Sequence, residues 1–213
     1  MTKINLTEIT VFYINMDADK AKRERLEKIL SSRGFSDVRR IRGTPNRRKK
    51  VGVAYAHKKA LLAGLETNKP FIILEDDVIE NKFNKEIEIP SNSDAYYLGV
   101  SKWGLAGGVG KRMISVERHD TNTFRLYNML SAHAILYLNM DYVRFLLKSV
   151  DFFIKIETNQ DKGRAETMKY WNIYAAKDPL FVQDDNYYES TCFSLPGDSA
   201  LPPSRVFLHP NTR

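Results

Sequence analysis

The chain reads as an α/β protein built on a mostly parallel central sheet, and three observations predict this. Short apolar runs alternate with segments of helical periodicity. One run, Pro70-Phe71-Ile72-Ile73-Leu74, is apolar without alternation, as in a strand covered on both faces. Three acids, Glu75-Asp76-Asp77, follow that run directly, at the strand end where open α/β sheets bind ligands.

Residues 9–15 are β-branched and aromatic and predict the first strand. Asp17 or Asp19 can cap the helix that follows; Leu26, Ile29 and Leu30 recur at helical spacing, and Gly34 closes it. Residues 35–41 predict a second strand. Residues 53–66 predict a helix with Val53, His57, Ala60, Leu61 and Gly64 near one face. Strands are expected at 95–100 and 132–138, helices at 141–150 and 165–177, and an extended segment at 180–183. Gly104, Gly107, Gly108 and Gly110 mark a loop, and four prolines mark the tail from Ser194.

At 213 residues, 43% hydrophobic and 28% charged, the chain has the composition of a single globular domain spanning 1–213. The lone cysteine, Cys192, excludes an intramolecular disulfide and fits a reducing compartment. No signal pattern opens the chain and no apolar run is long enough to span a bilayer, so a cytoplasmic protein is expected. The net charge of +7 is uneven: residues 1–50 hold 14 Lys/Arg against six Asp/Glu. Residues 39–50 contain seven cations and no acid. Such a stretch attracts phosphate or nucleic acid, or is simply a solvated loop.

Three adjacent acids are costly to bury unpaired. In an extended segment Glu75 and Asp77 share one side and Asp76 points to the other. Carboxylates facing one point, with water and phosphate oxygens completing the shell, suit Mg²⁺ or Mn²⁺. The plainer alternative is a strand-end turn whose acids cap the next segment or pair with Lys and Arg. No Gly-x-Gly-x-x-Gly follows the first strand and no Gly-x-x-x-x-Gly-Lys-Ser/Thr is present, which disfavours a dinucleotide site and a P-loop.

The ordered blocks resemble glycosyltransferase family 25. Val11-Phe12-Tyr13-Ile14-Asn15-Met16-Asp17 with Arg23 is similar to that family's opening block, and residues 51–57 to its helix start. Phe71 through Val78 resembles its Leu-Glu-Asp-Asp-Val strand. Residues 93–99, residues 131–147 and Asp178-Pro179-Leu180-Phe181-Val182-Gln183 resemble its later blocks. The chain departs from the pattern at Ala56, where the family has serine, and Asp161 matches a family acid only loosely. The length and abrupt end are also similar to an N-terminal glycosyltransferase domain of a large algal virus protein, which would make this the first domain of a longer chain in a host cytoplasm.

The resemblance implies a GT-A-like nucleotide-diphospho-sugar transferase fold with helices on both faces of the sheet. It also implies a DXD-like motif, a UDP-sugar donor, Mn²⁺ or Mg²⁺, and a glycan or glycoprotein acceptor. On that reading Asp77 is the first metal ligand and Glu75 the second; His209 would complete the shell, and Asp76 would bind through water or touch ribose. Asn15, Met16 and Asp17 would recognise the nucleotide, and Arg23 or Arg42 would reach phosphate. His57 is either a satisfied core residue or a ligand. Trp103, Tyr187 and Tyr188 are candidates to stack on base or sugar. If the transfer inverts, Asp184, Asp185 or Asp161 would deprotonate the acceptor. Competing readings are a nucleic-acid-binding or DNA-glycosylating protein, a phosphohydrolase, and a carbohydrate-binding module.

Overall fold

The computed structural model describes residues 1–100 and 114–184 and the backbone of 206–208. The glycine-rich loop, the proline-bearing tail, Trp103, Asp185, Tyr187, Tyr188 and His209 lie outside the described residues.

The strands and helices run β1 (Thr2–Asn5), β2 (Thr10–Asn15), α1 (Lys20–Ser32), β3 (Val38–Arg42), α2 (Lys49–Thr67), β4 (Phe71–Glu75), β5 (Val78–Glu80), β6 (Glu86–Ile89) and β7 (Ala95–Tyr97). There follow β8 (Ile114–Arg118), β9 (Thr123–Asn128), β10 (Ala134–Tyr137), α3 (Met140–Lys155), α4 (Gln160–Thr167), β11 (Ile173–Ala176), β12 (Phe181–Gln183) and β13 (Val206–Leu208). Nine strands form the main sheet in the order β13-β8-β9-β11-β7-β10-β4-β2-β3. The pairs β2–β3, β2–β4 and β7–β11 are parallel and the rest antiparallel, so β10, β9 and β13 run against the other six. Two small ribbons, β1–β6 and β5–β12, complete the structure.

The pleat explains why β4 is apolar throughout. Phe71 and Ile73 enter one core cluster, with Phe12, Leu61 and Leu146; Ile72 and Leu74 enter the other, with Tyr13, Leu26 and Leu30. The two clusters lie on the two faces of the sheet, so helices cover both: α2 and α3 on one, α1 on the other. Helix α2 comes close because its buried face is small, with Ala54, Ala56, Ala60 and Gly64. A Cβ on Gly64 would lie 2.3–2.5 Å from the Phe71 ring. The helix ends where Asn68 adopts a left-handed conformation, φ 49°.

Several expectations change. Residues 165–177 are not one helix: α4 ends at Thr167, a 3-10 turn spans Met168–Tyr170, and Ile173–Ala176 is a strand. All four residues of β11 are buried, and β11 pairs with β7 and β9, so tertiary pairing overrides helical propensity. The extended segment expected at 180–183 is β12; the hairpin β8–β9, the β1–β6 ribbon and β5 are additions to the expected elements. Among the described residues no helix is long and apolar enough to cross a membrane.

Candidate active site

Strands β2 and β4 are parallel neighbours, so their carboxyl ends deliver Asn15 and Glu75 to the same rim. The strand conformation stops at Glu75 and the chain turns through Asp76 and Asp77. That turn breaks the expected alternation: Asp76 does not point away, and all three acids line one cleft of about 670 Å³. Asn15 and Met16 form its floor, Asp19 and Lys22 of α1 one wall. Thr44, Pro45 and Asn46 with Lys49, Gly52, Val53, Ala56 and His57 of α2 form the other. Gly43 and Gly52 let this loop close in: a Cβ on Gly43 would sit 2.3 Å from Met16 Sδ, and one on Gly52 would sit 2.4 Å from the Thr44 carbonyl oxygen.

Each acid has a different tether. Glu75 Oε1 lies 2.8 Å from His57 Nε2. Asp76 Oδ2 accepts from Asn15 Nδ2 at 2.7 Å, and its Oδ1 faces Lys22 Nζ at 3.9 Å. Asp77 Oδ2 accepts a long bond from Gln183 Nε2 at 3.4 Å, while its Oδ1 is buried with no partner. Burial pushes all three carboxyls up; Asp76 adds to the effect on Glu75, Glu75 and Asp76 add to that on Asp77, and Asp19 adds to that on Asp76. Burial lowers His57 to about 3, so its ring is neutral and either donates to an ionised Glu75 or accepts from a protonated one.

Behind the cleft stands Arg164, 1% exposed, donating to the Tyr137 hydroxyl and to Gln160 Oε1. Its charge acts on Glu75 and His57, as does that of Asp161 on His57. Burial followed by the neighbouring Glu75 raises the Asp161 carboxyl. A fully buried arginine in this place was not foreseen, because arginine usually reads as a surface residue.

The structure therefore brings together Asn15, Met16, His57, Glu75, Asp76 and Asp77. Asp17, Arg23 and Arg42 do not line the cleft: Asp17 is exposed and bound to Arg40 at 2.7 Å, with Arg42 at 3.9 Å. Asp161 lies behind the wall. Asp184 is tied to the acid turn, its amide donating to the Asp77 carbonyl at 2.8 Å, and its carboxylate pairs with Arg25. Lys22, Asp19, Lys49 and the 44–46 segment join the site without a motif; only the path of the loops places them. The basic stretch is partly neutralised locally, Arg39 by Asp37, Arg40 by Asp17 and Arg48 by Glu157.

No three His, Cys, Asp or Glu side chains among the described residues converge as a ready metal-binding group. The acid turn nevertheless fits a divalent ion. Asp77 keeps an unpartnered buried oxygen, and an ion bound partly by ligand oxygens and water needs only one or two protein carboxylates.

No family model matches this chain, and no curated protein matches it. Among solved structures it is similar to a glycosyltransferase involved in the glycosylation of the major capsid of PBCV-1. That similarity has a TM-score of 0.45 at 12% identity, covering 83% of this chain and 93% of that one. It is also similar to a nucleoside-diphosphate-sugar pyrophosphorylase from Vibrio cholerae RC9, with a TM-score of 0.43 at 12% identity, covering 78% and 72%. Neither superposition bears on chemistry; the cleft does.

Proposed function

We propose that the protein is a metal-dependent glycosyltransferase that moves a hexose from a UDP-sugar to a hydroxyl of a glycan or glycoprotein. One observation carries the reading: under-compensated carboxylates and the amino end of α2 face the same cleft. The Arg48 side chain makes no cap hydrogen bond there, and no acid occupies the first turn. A ligand that suits both must bring a cation to the acids and an anion to the helix end. A metal-bound nucleoside diphosphate does so, and a 670 Å³ cleft suits a ligand of that size.

In this reading Asp77 offers its free oxygen to the ion, with Glu75 beside it held in place by His57, a tether of the kind that orients metal ligands. Bound Mn²⁺ or Mg²⁺ would neutralise charge on the departing diphosphate. Asn15 and Met16 receive the nucleoside, with Asn15 fixed by its bonds to Asp76 and Arg40. Lys49 and the first amides of α2 receive phosphate. If the transfer inverts, Asp184, whose amide is tied to the acid turn, would take the acceptor proton once Arg25 releases it.

Calorimetric titration of UDP with Mn²⁺ and then with EDTA tests the reading. Binding only with metal is expected; binding in neither condition would sink it.

A further inference from the structure

We propose that Lys22 is the resident counter-ion of the acid turn in the free protein and transfers to the diphosphate when metal and nucleotide bind. This rests on the nucleotide-sugar reading of the cleft and adds a residue that no motif carries.

Lys22 lies in the first turn of α1, and its side chain is 31% exposed, so the ammonium is drawn into the cleft rather than left in water. Its Nζ stands 3.9 Å from Asp76 Oδ1, an ion-pair distance too long for a hydrogen bond. Asp76 Oδ2 is meanwhile held firmly by Asn15 at 2.7 Å. Of these two contacts to Asp76, the longer one to Lys22 is the easier to exchange. The Lys22 charge lowers all three acids, while Arg164 acts on Glu75 from behind the wall.

An ammonium and a divalent ion cannot both occupy the mouth of this turn, because like charges a few ångströms apart repel strongly in a half-buried site. A lysine carries its charge on a flexible four-carbon stem and can swing without moving its helix. The diphosphate that arrives with the ion gives the displaced ammonium a new partner of the kind lysine binds well. Lys22 would then face Lys49 across the cleft, the two lysines holding the leaving group from opposite walls.

The two halves of the proposal predict opposite signs in one variant. Mn²⁺ binding is followed by the loss of its free-ion electron paramagnetic resonance signal, and UDP binding by calorimetry at saturating Mn²⁺. In Lys22→Met, Mn²⁺ alone should bind roughly tenfold tighter and UDP roughly tenfold weaker than in the unaltered protein. Lys22→Arg keeps the charge and should restore both affinities most of the way. Mn²⁺ affinity unchanged or weakened in Lys22→Met overturns the counter-ion role, and unchanged UDP affinity overturns the transfer. Failure of the unaltered protein to bind UDP with Mn²⁺ would overturn the nucleotide-sugar reading instead, and the Mn²⁺-alone comparison would still decide on Lys22.

Discussion

Residues 75–77 and residues 39–50 are the two concentrated charge runs of this chain, and they behave oppositely. The seven cations of the second run are mostly exposed, and Arg39, Arg40 and Arg48 each have a local acid partner. The three acids of the first run sit half-buried at a sheet rim, raised chiefly by burial and, for Glu75 and Asp77, by their neighbours in the run, with one Asp77 oxygen left bare. The longer run is therefore electrostatically quieter than the shorter one. Desolvation, not the number of charges, marks where a ligand has work to do.

The sharpest way to break this contrast is Asp77→Ala. It should weaken metal-dependent UDP binding by at least about a hundredfold, because it removes the buried, unpartnered carboxylate oxygen of the acid turn. Calorimetry checks this, and near-native affinity in the variant would return the acid turn to a structural role.

A smaller effect concerns the free protein. A carboxyl raised by folding holds its proton longer than in the unfolded chain. The resulting stability is full below the ordinary carboxylate range and is lost as pH rises through the folded value. Asp77→Asn removes that loss, so the metal-free variant should be more stable than the parent at pH 8, by about 2 kcal/mol, and little different at pH 4. The buried histidines act at the other end. His57 and His133, lowered by burial to about 3 and about 4, give stability that is present above pH 6.5 and fades as pH falls. Thermal melts of both proteins across pH 4–8 read both limbs; an alkaline limb that is flat in the parent would contradict the charge assignment.

The smallest effect belongs to the basic run. Arg39→Ala should leave the melting temperature and UDP affinity unchanged, since its exposed pair with Asp37 contributes little. A marked loss of UDP affinity in that variant would erase the distinction between the two runs. So would tight, salt-sensitive binding of duplex DNA by the unaltered protein.

Much of this was legible from residues alone, for identifiable reasons. Strands β2, β4, β7 and β10 are central, so their apolar content is not diluted by solvent-facing positions. Helix α2 announces itself by its small face. The acid turn was visible because carboxylates rarely follow a buried strand. Ile173-Tyr174-Ala175-Ala176 differs from expectation because alanine is a strong helix former, and pairing with β7 and β9 makes the segment a strand. The hairpin β8–β9 does alternate, at Ile114-Ser115-Val116-Glu117 and Phe124-Arg125-Leu126, but each run is short. Within the site, Asn15, Met16 and His57 sit on elements whose ends could be placed. Lys22 and the 44–46 segment depend on close approaches that only folding sets, such as Gly52 against Thr44. Arg164 stayed hidden because its burial depends on Tyr137 of β10, a residue from a distant part of the chain.

The β5–β12 ribbon has a consequence in time. It pairs Val78 with Gln183, and the Asp184 amide closes onto Asp77, so the acid turn is bounded on one side by chain made about a hundred residues later. At ordinary rates of synthesis that delay is roughly five to twenty seconds. Throughout it, a nascent chain can assemble β2, β3 and β4 with their helices while the turn remains open to whatever cations the surroundings hold. The rim that carries the three acids is thus finished well after the strand that presents them.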